Sequence, residues 1–364
     1  MDNILYDAVM ESPKDSFLQE DLEEISELLK NVDEIAELKN TSILVTGATG
    51  LVGSQLVRAL ACMNRENDMC MNILALVRNP EKAKLIYGQE LLDRGDIRLI
   101  EADITQPLNI NCDIDYIIHG AAVTVSKLMV SKPVETISAA LDGTTNILKL
   151  AHDKNVRSLV YISSMEMYGK MDGAEDVTED KLGFVNPLMV RSNYPESKRM
   201  CENMCIAWMN EYGIPVKIAR LAQTFGAGIL PGESRVFAQF AQSVMNGEDI
   251  VLHTKGLSEG NYSYTADTVR GLLTILVKGK NGEAYNVSNE ENHTTIADMA
   301  KFAASDLAGG KIKVVFDIPQ SNTFGYAADT KMKLSSKKLM ELGWKPMHNL
   351  KDSYIRMMGS MKCM

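Results

Sequence analysis

Tyr194-Pro-Glu-Ser-Lys198 sets a phenol and an amine four residues apart, a spacing that brings both onto one helix face. A free tyrosine has a pKa of about 10 and is a poor base at neutral pH. A neighbouring ammonium favours the phenolate, which makes Tyr194 the candidate proton acceptor and Lys198 its helper. Upstream, an apolar run ends in Ser163-Ser164, a second polar signal at a strand end.

The apolar run Ile43–Thr46 leads directly into Gly47-Ala48-Thr49-Gly50-Leu51-Val52-Gly53 and then into a helical pattern. Glycines there let the backbone turn tightly and approach a pyrophosphate, whose charge rests at the helix N-terminus. With a strand before it and a helix after it, the motif reads as a dinucleotide cradle. Gly47, Thr49, Gly50, Leu51, Val52 and Gly53 are its candidate contacts. The next strand run ends at Val77-Arg78, 25 residues beyond Gly53. An acid there would bind the ribose 2′-hydroxyl of NAD, whereas an arginine accommodates the 2′-phosphate of NADP. Arg78 therefore tilts the expected NAD(P) cofactor toward NADP; its alternative is a solvated surface arginine. Asp103, with Ile104 after it, follows the third strand and is placed to meet the adenine. His119-Gly120-Ala121-Ala122 ends the fourth with small residues, so that Ala121 and Ala122 permit close approach. A cationic nicotinamide near Tyr194 would add to the effect of Lys198.

These residues need a scaffold, and the chain supplies alternating strands and helices. Apolar runs occur at Ile43–Val45, Ile73–Val77, Ile97–Ile100, Tyr116–Ile118, Leu159–Ile162 and Val216–Ala219. Helical patterns such as Leu51–Met63 and Ala139–Ala151 lie between them. That alternation predicts an α/β fold, a doubly wound Rossmann parallel sheet covered on both faces. Residues 41–223 form the expected NAD(P)-binding domain. From Thr224 the pattern is irregular and richer in glycine, which fits a smaller C-terminal substrate-binding lobe over 224–364, interleaved with late Rossmann elements. Residues 1–40 form an acidic helical extension. Between 20 and 38 an amphipathic helix carries Leu22, Ile25, Leu29, Val32 and Ala36 on one stripe, read as packing on the protein's own body.

The 364 residues carry 38 basic and 48 acidic side chains, a net charge of −10, with 45% apolar residues. That balance argues against a nucleic-acid or anionic-membrane surface. Six scattered cysteines read as reduced thiols, and no apolar run reaches membrane-spanning length or resembles a secretory signal near the acidic N-terminus, so a cytoplasmic protein is expected. Cys201 and Cys205 have helical spacing but no second Cys/His pair, so they read as buried helix-face residues and no metal is expected.

Taken together, these motifs resemble the extended short-chain dehydrogenase/reductase superfamily, the nucleotide-sugar epimerases and dehydratases, over about residues 41–350. Gly143-Thr-Thr-Asn146 is similar to the family's central-helix motif. Arg220-Leu-Ala-Gln223-Thr-Phe225-Gly226, Tyr264-Thr-Ala-Asp267 and Tyr285-Asn286-Val287 resemble later ones. Ser163-Ser164-Met165-Glu166-Met167-Tyr168-Gly169 resembles dehydratases and UDP-glucuronate decarboxylases. Gly183 to Tyr194, with Asn186-Pro187 and Arg191-Ser192, is similar to the decarboxylases.

The resemblance implies oxidation at C4 of a nucleotide-linked sugar, with Tyr194 as base, Lys198 on the nicotinamide ribose and Ser164 on the C4 oxygen. It places Glu166 where a C5 base would act; a structural carboxylate is the alternative. It implies Asn186, Arg191, Gln223, Arg235 and Tyr262 as substrate contacts, and a homodimer built on the Gly143–Ala151 helix and the Ser192–Trp208 helix. Two positions depart from the pattern. Dehydratases have an acid where Met165 stands, and decarboxylases have an arginine where Gly260 stands. Decarboxylation and 4,6-dehydration are therefore joined by C4 or C5 epimerisation as expected reactions. A non-catalytic dinucleotide sensor and a small-carbonyl or lipid reductase are the rivals from other classes. Retention of both Tyr194 and Lys198 speaks against the sensor, and the Asn186–Ser192 segment against the reductase.

Overall fold

The computed structural model describes residues 9–171, 175–319 and 329–363; the first eight residues of the expected extension lie outside them. The chain runs α1 (Ser16–Lys30), β1 (Ser42–Thr46), α2 (Leu51–Asn67), β2 (Asn72–Val77), α3 (Pro80–Tyr87), α4 (Gln89–Asp93) and β3 (Ile97–Glu101). β4 (Tyr116–His119), α5 (Ser126–Ser131), α6 (Pro133–Lys154), β5 (Ser158–Ser164), α7 (Asn193–Tyr212) and β6 (Val216–Leu221) follow. The remainder comprises β7 (Gln223–Phe225), α8 (Val236–Asn246), β8 (Ile250–Leu252), β9 (Glu259–Tyr264), α9 (Thr265–Lys278) and β10 (Ala284–Val287). β11 (His293–Thr295), α10 (Ile296–Phe302), β12 (Val314–Phe316), α11 (Lys337–Met340) and α12 (Leu350–Cys363) complete it.

Seven strands form one parallel sheet in the order β10-β6-β5-β4-β1-β2-β3. Their side chains divide by parity. Ile43, Val45, Ile73 and Ala75 join the core under α1, α2 and α9, while Leu44, Leu74 and Leu76 join the core under α6 and α7. Burial on both faces explains why these strands read as continuous apolar runs. The chain winds from β1 outward to β3, then restarts at β4 on the other side, so the switch point lies between β1 and β4. The expected doubly wound α/β fold is the one observed. Late elements return to it: β10 pairs with β6, and α9 packs on the face shared with α2. Between these, β7, β9 and β11 make a small sheet, with Phe225 stacked on Phe237 at 4.9 Å in the lobe's own core.

The N-terminal segment packs on the protein's own body, as its stripe predicts, but not as one helix. α1 ends at Lys30, and Val32 is extended before a short 3-10 turn over Asp33–Leu38. That break rotates the chain, so Ile35 and Leu38 are buried and Ala36 is exposed. Leu18, Leu22, Ile25 and Leu29 of α1 enter the core with α2, worth roughly 1.5–3 kcal/mol each before ordering costs. Ionic contacts ring this patch. Glu11, fully buried, meets Arg94 Nη1 at 2.5 Å and Arg65 Nη2 at 3.0 Å. Asp21 accepts from Tyr264 Oη at 2.5 Å and from Arg356 Nε at 2.7 Å. His348 of the C-terminal region bonds Glu24 and Asp352.

Candidate active site

The glycine motif is a built cradle. Gly47 has φ +71°, and a Cβ there would lie 2.8 Å from the Gly120 carbonyl carbon, because the β1 and β4 ends almost touch. A Cβ on Gly53 would lie 2.2 Å from the Gly47 carbonyl oxygen. Gly50 donates to that same oxygen at 2.9 Å and caps α2, whose first free N–H groups face the switch-point crevice. Thr49, Leu51 and Val52 lie in this turn. These residues fit a dinucleotide pyrophosphate: the space is kept by absent side chains and the helix terminus supplies positive potential.

Thr46 ties the cradle together. Its Oγ1 accepts from the N–H groups of Gly120 (3.2 Å) and Ala121 (3.1 Å), so its proton goes to His119 Nδ1 at 2.7 Å. His119 must then carry its proton on Nε2, facing Thr144 Oγ1 at 3.4 Å, which donates in turn to Cys201 Sγ at 3.3 Å. Burial, and then the charge of Lys198, pull the His119 pKa down to about 3, so the imidazole stays neutral. The two α7 cysteines are buried on the helix face. No motif marks His119 or Thr46 as functional, and a lone His on an apolar strand carries no signal for such a chain.

Ser164, at the end of β5, accepts from the Glu166 N–H at 3.2 Å and bonds the Tyr194 phenol. Lys198 is 5% exposed and gives Nζ to the Ile162 carbonyl at 2.7 Å. Its ammonium lies 5.8 Å from the Tyr194 ring centre, across the same helix face. Burial pulls its pKa down to about 8. By protein groups alone Tyr194 is not a phenolate. Burial first, then the Glu166 charge, push it up to about 12, against the Ser164 hydrogen bond and the charges of Arg191 and Arg235. Any lowering must come from a positive charge brought close.

Glu166 has a definite partner. Arg191 Nη2 reaches both its oxygens, at 3.0 and 2.8 Å, and the guanidinium carbon lies 5.7 Å from the Tyr194 ring centre. Arg199, next to Lys198 and not anticipated, binds the Met167, Tyr168 and Gly183 carbonyls and so holds the loop that carries Glu166. Met165 is buried, and its Cε would lie 3.6 Å from a Cβ at Gly260. The two departures from the family pattern are therefore neighbours in space.

The remaining candidates are dispersed. Arg78 is exposed at the β2 end. Asp103 spends its carboxylate on Thr105 N and Oγ1, both at 2.9 Å. Ile104 is buried, its carbonyl bound by Asn146 at 2.9 Å, which gives the Gly143–Asn146 motif a structural role. Asn186 is exposed and caps Leu188 N at 3.1 Å. Arg235 precedes α8, paired with Glu233 at 2.6 Å. Gln223 opens β7 half-buried, and Tyr262 is 5% exposed, edge-on to Phe225. Arg220 is buried against Glu202 and Tyr168, so its motif is architectural.

UDP-glucuronic acid decarboxylase 1 of Danio rerio is 29% identical over 323 residues, 87% of this chain and 72% of the relative. UDP-glucuronic acid decarboxylase 6 of Arabidopsis thaliana is 29% identical over 313 residues, 86% of each chain. Human dTDP-D-glucose 4,6-dehydratase is 26% identical over 320 residues, 84% of this chain and 85% of the relative. Among solved structures, a UDP-glucuronic acid 4-epimerase from Bacillus cereus, in complex with UDP-glucuronic acid and NAD, superimposes with TM-score 0.72 at 21% identity. That match covers 88% of this chain and 99% of the epimerase. The profile of the NAD dependent epimerase/dehydratase family matches residues 43–288, from β1 to the residue after β10. This chain belongs to the NAD-dependent epimerase/dehydratase family.

Proposed function

We propose that this protein is a nucleotide-sugar enzyme that oxidises the sugar at C4 with tightly held NAD(P) and transforms the resulting 4-keto sugar. The observation that carries it is the Tyr194–Ser164 hydrogen bond beside Lys198, at the same sheet edge as the glycine cradle. Tyr194 takes the C4 hydroxyl proton, and Ser164 holds the C4 oxygen as its charge develops. Lys198 binds the nicotinamide ribose. When bound, the nicotinamide supplies the hydride acceptor and a positive charge that favours the phenolate. A C4 ketone acidifies the C5 proton. Glu166 is the base for it, held in place by Arg191. Asn186, Gln223, Arg235 and Tyr262 belong to the sugar-nucleotide side, Arg235 and Tyr262 from the lobe over 224–364.

Similarity to UDP-glucuronic acid decarboxylases and dTDP-D-glucose 4,6-dehydratase supports a decarboxylase-like or dehydratase-like outcome. The Met165–Gly260 contact favours a second reading, C4 epimerisation of a neutral sugar. An apolar methyl occupies the corner where an acid and an arginine would be needed to expel a hydroxyl or hold a carboxylate. A panel of sugar nucleotides followed by mass spectrometry in deuterated water separates these outcomes. A Glu166→Gln variant that reduces its bound nicotinamide and stalls at the 4-keto sugar, with no deuterium entering C5, supports C5 chemistry. Wild-type turnover in Glu166→Gln sinks it and leaves the epimerase. If no sugar nucleotide reacts, the whole reading fails.

The exposed guanidinium of Arg78 supports NADP over NAD. Arg78→Asp should reverse the preference, and equal binding of both dinucleotides by the wild type would refute it. Exposed Val134 and Met200, on α6 and α7, support a homodimer through that face. Light scattering at micromolar concentration tests it, and a monomer counts against it. Six free cysteines support a cytoplasmic location, and among the described residues no helix is long and apolar enough to cross a membrane. Recovery of the native protein in a membrane or secreted fraction would overturn that placement.

A further inference from the structure

Lys217, the second residue of β6, is 5% exposed. Among the described residues its ammonium makes one hydrogen bond, to Ser158 Oγ at 2.7 Å. Ser158 passes its own proton to the Leu276 carbonyl at 2.7 Å. An ammonium has three donors, so two remain, and no carboxylate pairs with it among the described residues. It borders a cavity of about 340 Å³, whose walls also include Tyr116, Arg157, Leu276 and Val277. That volume falls near the lower end of small-molecule sites, which span about 300–1,000 Å³. Tyr116, Ser158 and Lys217 lie at the starts of β4, β5 and β6. The cavity thus opens at the amino edge of the parallel sheet, opposite Gly47, Ser164 and Tyr194.

We propose that this cavity binds a small organic anion, with its phosphate or carboxylate head held by Lys217 and Arg157 and its apolar part against Leu276 and Val277. A buried cation with neutral partners only is costly, and an entering anion removes that cost. Arg157 stands at the mouth, exposed, 3.0 Å from Asp115 and bonded to the Tyr116 phenol, so it can turn inward without breaking the core. Glu37 also lines the cavity from the segment before β1, and it opposes an anion. Burial pulls the Lys217 pKa down to about 8, so affinity falls as pH rises through that value.

Calorimetric titration of the full chain, saturated with NAD so that the glycine cradle is filled, uses inorganic phosphate in one arm and succinate in the other. The expected result is saturable binding in at least one arm, at least tenfold weaker in Lys217→Met and weaker at pH 9 than at pH 7. Binding of phosphate alone assigns a phosphate head, and of succinate alone a carboxylate head. Glu37→Gln, at an exposed position, should tighten binding several-fold and carries the test if Lys217→Met does not fold. No binding to the wild type in either arm overturns the proposal. So does equal binding by wild type and Lys217→Met, or an affinity unchanged in Glu37→Gln.

Discussion

Buried charge is handled in opposite ways in two regions of this molecule. Around the N-terminal segment Glu11, Asp21 and His348 each have an opposite charge beside them, while Asp15 is held by the Leu18 N–H and the Ser360 hydroxyl. Glu11 sits between Arg65 and Arg94, Asp21 on Arg356 and Tyr264, and His348 between Glu24 and Asp352. Lys198 on α7 and Lys217 on β6 are equally buried, but among the described residues Lys198 hydrogen-bonds a carbonyl, with the Tyr161 and Tyr194 rings beside it, and Lys217 a hydroxyl. Matched charge holds two pieces of chain in register. A buried ammonium with donors to spare gains from a ligand that accepts from it, and at Lys198 the acceptors are the nicotinamide ribose hydroxyls on the reading above.

Mutation of each class should therefore fail differently. Lys198→Met should lower turnover by roughly two to four orders of magnitude, as should Tyr194→Phe, with thermal stability unchanged or raised. A stability loss in Lys198→Met matching that of a core mutant would break the distinction. Glu11→Ala should do the reverse. Arg94 keeps Asp96 and Arg65 keeps Glu23 and Glu66, but each loses its buried acceptor, which should destabilise the fold by about 1–3 kcal/mol in denaturant titrations, with kcat of the folded fraction retained.

His348 makes the matched region pH-dependent. Burial alone would lower its pKa, but the hydrogen bonds it donates to Glu24 and Asp352 outweigh that and hold it up at about 9. Its contribution is complete below about pH 6.5 and is lost as pH rises through 9. Glu24 and Asp352 reach solvent, which screens the pair, so the loss should be roughly 2 kcal/mol. Melting curves of wild type and His348→Gln should converge by pH 10; parallel curves from pH 6 to 10 would show the pair to be idle. The smallest effect is expected at Lys217. Lys217→Met removes an unmatched ammonium and should raise stability by about 1 kcal/mol at pH 7. A clear loss in calorimetry would mean that the ammonium is matched in solution.

The sequence by itself determined the sheet, the cradle and the Tyr194/Lys198 pair, because each depends on local spacing. Parity along a strand sorts Leu44 from Ile43 and Val45 onto opposite faces, and a four-residue step puts Tyr194 and Lys198 on one side of α7. Glycines that cannot bear a Cβ announce themselves in order along the chain. The tertiary structure alone decided which distant groups meet. Glu166 finds Arg191 across a loop, Met165 packs at Gly260 from another strand, and Glu11 finds Arg65 and Arg94 in α2 and before β3. It also decided the break after Lys30, since Ile35 and Leu38 had a core to reach that periodicity could not see. Charge compensation depends on distance in space, which falls off over a few ångströms and bears no fixed relation to separation along the chain.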